Sequence, residues 1–154
     1  AMAMRFDSSD MKHSGEKTYN ILHVDDSSSI RSLLIELLNK EGRFTVTQKV
    51  NGQEAWDYLK VLRNRCEAED RPISDFVHGI ITDIEMPGMD GLALCKLVKE
   101  DRILQKLPVA IFSSMINEPL AKKCQVVGAD VQYTKPDLKV LSVKLYDLVT
   151  QAWG

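Results

Sequence analysis

No apolar run in this sequence approaches the length needed to cross a membrane. The first seventeen residues are polar and hold no hydrophobic stretch, so no secretory leader is expected, no membrane insertion, and a cytoplasmic location. Cysteine is scarce and odd in number: Cys66, Cys95 and Cys124 show no paired spacing. They read as reduced thiols, with Cys95 and Cys124 on apolar helix stripes. Strong charge of either sign is also missing. A formal net charge of -2 gives no electrostatic case for nucleic acid binding. What remains is ordinary for a globular chain: 154 residues, 44% hydrophobic and 27% charged, enough for one domain with a substantial core.

Against that background one stretch stands out, Gly79-Ile-Ile-Thr-Asp-Ile-Glu-Met-Pro-Gly-Met-Asp-Gly91. It opens with β-branched residues that read as a buried strand and continues into Pro87-Gly88 and Asp90-Gly91, which read as a turn and a helix start. Asp83 sits at the strand's carboxyl end, where open parallel sheets bind ligands. The run Tyr19-Asn-Ile-Leu-His-Val-Asp25-Asp26 ends in two more carboxylates. If the two strands are neighbours, three carboxylates converge. Two such charges at ~4 Å repel by roughly 4 kcal/mol at an effective dielectric of about 20. A divalent cation relieves that cost, and an all-oxygen set suits magnesium rather than zinc, with manganese as a substitute. Two later strand ends add the hydroxyls of Ser113 and Ser114 and the ammonium of Lys135, which precedes Pro136. A metal, a hydroxyl and an ammonium around one carboxylate suit phosphoryl chemistry, with Asp83 as nucleophile. The same parts also suit a structural calcium or magnesium site.

The rest of the chain alternates strand and helix. Strands are expected over Ile21–Val24, Phe44–Val50, Val77–Asp83, Val109–Ser113 and Val131–Lys135. The first helix, capped by Asp26 or Ser27, carries Ile30, Leu33, Leu34, Leu37 and Leu38 and stops at Gly42. The second starts after Asn51-Gly52. Arg63 to Asp75 is charged, holds Pro72, and reads as a solvated loop that extends the second helix; a partner-docking insert is the sharper reading. Asp90 caps the third helix, the fourth covers Pro119–Val127 and stops at Gly128, and Asp137 caps the last, with Leu138, Leu141, Leu145 and Leu148 on one face and Trp153 just beyond. Five alternations imply an α/β, doubly wound parallel sheet, (βα)5, in the flavodoxin-like order 2-1-3-4-5. Ala1-Met-Ala-Met reads as a cloning remnant. Residues 1–18 together read as that remnant plus a disordered linker, in front of one domain over 19–154.

The Asp25-Asp26 pair, the Asp83–Gly91 loop, the Ser113-Ser114 strand end and Lys135-Pro136 together resemble a response-regulator receiver domain of the CheY-like superfamily, from about Tyr19 to Trp153. The resemblance implies that Asp83 is the phosphoacceptor. Asp26 would ligate magnesium directly, Asp25 directly or through water, and the Glu85 backbone carbonyl would be a further ligand. Lys135 would pair with Asp83 when the site is empty and with a phosphoryl oxygen when it is loaded. Ser113 would be the switch hydroxyl, with Ser114 as runner-up, and the bond before Pro136 would be cis. The Glu85 side chain is expected near the phosphoryl entrance, where it would set the lifetime of the aspartyl phosphate. One position departs from the pattern: the aromatic common three residues before the lysine is Gln132 here, and the aromatic is Tyr133. Strand alternation puts these two on opposite faces, so signal output is expected to use the fourth and last helices without an aromatic swinging behind Ser113.

Finer similarity points to the receiver of CheV-type chemotaxis coupling proteins. It rests on four features: the insert before the third strand, the Thr82-Asp-Ile-Glu-Met-Pro87 stretch, Ser113-Ser114, and the Gly128-Ala-Asp…Lys135-Pro-Asp-Leu138 end. That resemblance implies the histidine kinase CheA as phosphodonor, a CheW-like domain preceding this one, and a place in the chemoreceptor array. Stand-alone CheY-like proteins and receivers of DNA-binding regulators are the alternatives. No enzyme beyond self-catalysed phosphotransfer and dephosphorylation is expected: haloacid-dehalogenase phosphatases need Asp-x-Asp at the first strand end, and Asp25-Asp26 lacks that spacing. A receiver-like binding module that is never phosphorylated is the remaining reading.

Overall fold

A computed structural model describes residues 17–40, 42–114, 116–135, 138 and 140–154. The lead over 1–16, the bond before Pro136 and the Asp137 cap lie outside the described residues. Five parallel strands, β1 (Tyr19–Val24), β2 (Phe44–Lys49), β3 (Gly79–Thr82), β4 (Val109–Ser113) and β5 (Val131–Thr134), form one sheet in the order β2-β1-β3-β4-β5. The helices are α1 (Ser28–Asn39), α2 (Gly52–Glu69), α3 (Gly91–Glu100), α4 (Glu118–Val126) and α5 (Leu141–Trp153). This is the expected flavodoxin-like architecture.

Side-chain alternation builds a core on each face of the sheet. Leu22, Val24, Ile80, Val109 and Ile111 face α2, α3 and α4, while Tyr19, Ile21, Ile81, Ala110 and Phe112 face α1 and α5. Cys66, Cys95 and Cys124 are all buried and free. Each cap follows the local sequence. The Ser27 hydroxyl, rather than Asp26, accepts the Ile30 amide at the start of α1, and Asp90 does the same for Ala93 at the start of α3.

Several boundaries move from their expected places. β3 begins at Gly79 rather than Val77, and β2 ends at Lys49. Leu33 is 51% exposed and leaves the α1 stripe to its neighbours Leu34 and Leu38. Trp153 belongs to α5, and its indole N–H donates to the His78 carbonyl at 2.7 Å.

The largest correction concerns Arg63 to Asp75. Residues up to Glu69 are helical, because Leu59, Leu62 and Cys66 continue the buried stripe of α2. Asp70 ends the helix in the left-handed region, φ 51°. A short 3-10 turn, Ile73–Asp75, then returns the chain to β3. The Arg65 and Arg71 guanidiniums each lie 4.5 Å from the Phe76 ring centre and pair with Glu69, while Arg71 also pairs with Asp75. The segment is thus held by the domain itself.

Two glycines position the loop after β3. A Cβ on Gly91 would overlap the Asp83 carbonyl oxygen, and one on Gly52 would overlap the Met89 carbonyl oxygen. The absence of both side chains lets the loop fold against the end of β3 and the start of α2.

Candidate functional site

β1 and β3 are hydrogen-bonded neighbours at the point where strand order reverses, so their carboxyl ends open side by side. Asp25, Asp26 and Asp83 meet there, with one carboxylate oxygen from each lying within 4.8 Å of the others. Asp25 is fully buried and Asp83 nearly so, whereas Asp26 is exposed and gives the cluster an opening to solvent.

Each carboxylate is held by contacts that the strand ends supply. Asp25 Oδ1 accepts the Ser27 amide at 2.9 Å, and Asp25 Oδ2 takes Lys135 Nζ at 2.7 Å. Asp83 Oδ1 accepts the Ile84 amide at 2.9 Å and lies 3.3 Å from Lys135 Nζ. Both of these contacts fall on Oδ1. Burial pushes the Asp83 carboxyl above the usual carboxylate range, and Asp25 adds to this against the pull of Lys135. Lys135 therefore bridges two acids, where the sequence reading paired it with Asp83 alone.

The donor set fits a hard divalent cation. Three carboxylates and one ammonium leave two negative charges around a cluster of oxygen donors, with no thiolate or imidazole among them. Asp26, Asp83 and Asp25 are the side chains that would hold it. Glu85, expected to offer its carbonyl, lies in the loop after β3 with its side chain exposed.

Ser113 is buried at the end of β4, and its carbonyl accepts the Lys135 amide at 2.8 Å. Ser114, one residue on, is exposed. Gln132 and Tyr133 do point to opposite faces. The Gln132 amide donates to the Ala121 carbonyl on α4, whereas Tyr133 packs with the α1/α5 core under the Lys144 ammonium.

The sequence reading missed a polar cluster beneath the acids. His23 is fully buried on β1, and Gln48, its register partner on β2, places its amide nitrogen 3.1 Å from His23 Nδ1. The same amide donates to the Arg31 carbonyl at 2.8 Å, and the Arg31 guanidinium donates to the Asp25 carbonyl at 2.7 Å. A polar residue inside an apolar strand run was the one sequence signal for it.

Burial pulls the His23 pKa down to about 4; Asp25 opposes this, while Lys135 and Arg31 reinforce it. An imidazole lowered in the fold stays neutral there, while the unfolded chain protonates near its ordinary value. Its contribution to stability is complete above about pH 6.5 and is lost as pH falls from there toward 4. The loss approaches about 3 kcal/mol. Urea midpoints at about pH 7 and about pH 4.5 should differ less in His23→Leu than in wild type. Equal differences would refute the assignment.

Comparisons with known proteins agree with this geometry. The family described as response regulator receiver domain matches residues 21–145. The Arabidopsis thaliana two-component response regulator ARR15 is 34% identical over 143 residues, 93% of this chain and 68% of ARR15. ARR17 of the same plant is 37% identical over 129 residues, 84% of this chain and 82% of ARR17. The chain spans 57% of the length of the rice regulator ORR4. Among solved structures, the receiver domain of a signal transduction histidine kinase from Syntrophus aciditrophicus superposes with a TM-score of 0.72 at 28% identity, covering 87% of this chain and 92% of that one. These relatives include plant regulators and no CheV-type coupling protein, and they give the CheV, CheA and CheW assignments no support. Five strands in the order 2-1-3-4-5, three acids and a lysine at their carboxyl ends, and a family match across both place the chain in the response regulator receiver domain family.

Proposed function

We propose that this domain is a phosphoacceptor switch of a two-component system. The observation that carries the proposal is the meeting of Asp25, Asp26, Asp83 and Lys135 at one sheet edge. Asp83 Oδ2 attacks the phosphorus of a phosphohistidine. The O–P bond forms, the N–P bond breaks, and its electron pair returns to the donor imidazole. Lys135 is placed to shift from Asp83 toward the transferred group, and Ser113 lies beside it at the next strand end. A divalent cation, magnesium or manganese, supplies charge neutralisation at the acids and phosphoryl oxygens when bound. The domain contributes positioning and electrostatics and needs no further catalytic apparatus, so its only activities are self-catalysed.

The phosphodonor is a histidine kinase or a phosphohistidine carrier that acts with one. The finer assignment, a CheV-type chemotaxis adaptor phosphorylated by CheA, rests on sequence resemblance alone: the insert before β3, Thr82–Pro87, Ser113-Ser114 and Gly128–Leu138. Phosphorylated CheA and a phosphohistidine carrier from a plant two-component system, offered side by side, would decide it by which one labels the protein.

Intact mass after incubation with acetyl phosphate tests the central reading. One phosphoryl adduct is expected with magnesium and none when magnesium is chelated. No adduct from any donor, together with no beryllofluoride binding, would leave a receiver-like binding module in its place.

A further inference from the structure

We infer that Gln48 is a positioning residue for the acidic pair, acting through His23 and Arg31 on the corner between β1 and α1. The inference rests on the reading of Asp25, Asp26 and Asp83 as a divalent-cation site and adds residues that do not touch the ion.

The corner has to hold two acids, one buried and one exposed, in a fixed relation. Asp25 directly follows β1, Asp26 is exposed, and α1 starts at Ser28. Three ties fix it. The Asp25 amide donates to the Lys49 carbonyl of β2 at 3.1 Å. The Arg31 guanidinium holds the Asp25 carbonyl from the first turn of α1. Gln48 then joins the remaining pieces, because its single amide nitrogen carries both hydrogens and reaches Arg31 of α1 and His23 of β1 at once. One side chain on β2 thus sets the distance and roll of α1 against the end of β1.

The His23 tautomer follows from the same geometry. The Gln48 amide nitrogen is a donor, so His23 Nδ1 accepts and the ring proton sits on Nε2, which finds no partner among the described residues. A buried N–H without an acceptor is costly in an apolar core. Its retention beside the acids fits a ring kept for its Nδ1 contact and poorly fits one kept for packing. Partners one step removed from metal ligands commonly tune ion affinity by orienting those ligands.

Calorimetric titration of magnesium into the full chain tests this without reference to phosphorylation. Gln48→Met preserves length and removes both donors. It should raise the magnesium dissociation constant by about tenfold. Gln53→Met, which removes an exposed contact to Asp57 on α2, should leave it unchanged. The His23 ring proton should appear on Nε2 in nitrogen-resolved spectra of wild type. A Gln48→Met affinity within about twofold of wild type would overturn the inference, whatever happens to its melting temperature. If Gln48→Met does not fold, His23→Val removes only one of the amide's acceptors and places a good strand former in a buried strand. Weaker magnesium binding by His23→Val would support the inference, and unchanged binding would overturn it. Absence of magnesium binding by wild type itself would instead refute the cation-site reading on which this one rests.

Discussion

Asp83→Asn should abolish phosphoryl capture and make the metal-free protein more stable. The first effect follows from chemistry: an amide oxygen is not a nucleophile toward phosphorus, so the loss of adduct should exceed about 10³-fold. The second follows from burial. Asp83 is 6% exposed, and desolvation raises its pKa with Asp25 adding to the shift. A carboxyl with a raised folded pKa lowers stability as pH climbs from its unfolded pKa to its folded one, and the cost is complete above that. At neutral pH the asparagine escapes this cost. It also keeps the Ile84 amide bond, because its Oδ1 can accept as the carboxylate does. Lys135 retains Asp25 as a partner. Thermal melts in chelator should therefore show a higher midpoint for Asp83→Asn than for wild type, and a smaller rise on adding magnesium. A lower midpoint would mean that the Lys135–Asp83 contact outweighs the desolvation of Asp83.

Lys135→Met should act in the opposite direction. Among the described residues Lys135 is the cation in contact with both the Asp25 and Asp83 carboxylates, and its own side chain is only 12% exposed. Removing it strands two buried acids without a counter-charge, a change that costs about 3 kcal/mol or more. Methionine keeps an apolar stem where the lysine chain passes Phe112, whose ring centre lies 5.5 Å from Nζ, so lost packing is a small part of the effect. Magnesium should recover much of the loss, because it supplies charge to the same oxygens. Adduct formation should fall by about 10²-fold even in saturating magnesium, because one preorganised donor to the transferring group is gone. Urea unfolding with and without magnesium, read beside the rate of adduct formation, measures both effects. A variant as stable as wild type in chelator would show that solvent reaching the acids through the Asp26 opening already screens them.

The two predictions also separate the proposed roles of the acids. Loss of Asp83, the proposed phosphoacceptor, should remove the chemistry and relieve a desolvation cost. Asp25 is engaged through both carboxylate oxygens and its backbone carbonyl, and it serves as the fixed point around which Lys135, Ser27 and Arg31 are arranged.

The sequence by itself determined the sheet class and, to within a residue, the four strand ends at which Asp25, Asp83, Ser113 and Lys135 lie. Asp83 and Ser113 follow unbroken runs of β-branched or apolar residues, Asp25 and Lys135 follow such runs interrupted once, by His23 and by Gln132, and strand ends in a parallel sheet face one edge. Those are local facts that period and composition carry. The extent of α2 was legible only in part: the Leu59–Leu62–Cys66 stripe and the i,i+4 Arg65–Glu69 pair are local, but the Phe76 ring that both Arg65 and Arg71 cover is brought there only by the turn after the helix. Tertiary structure alone decided which acid Lys135 approaches most closely. Lys135 and Asp25 are 110 positions apart, on strands with two others between them, and no local pattern tells 2.7 Å to Asp25 from 3.3 Å to Asp83. It alone also decided the His23–Gln48–Arg31 cluster. That contact depends on the register of β2 against β1, where a slip of one residue would turn Gln48 to the other face. The sequence names the groups that can react. The relative placement of its strands decides how they are held.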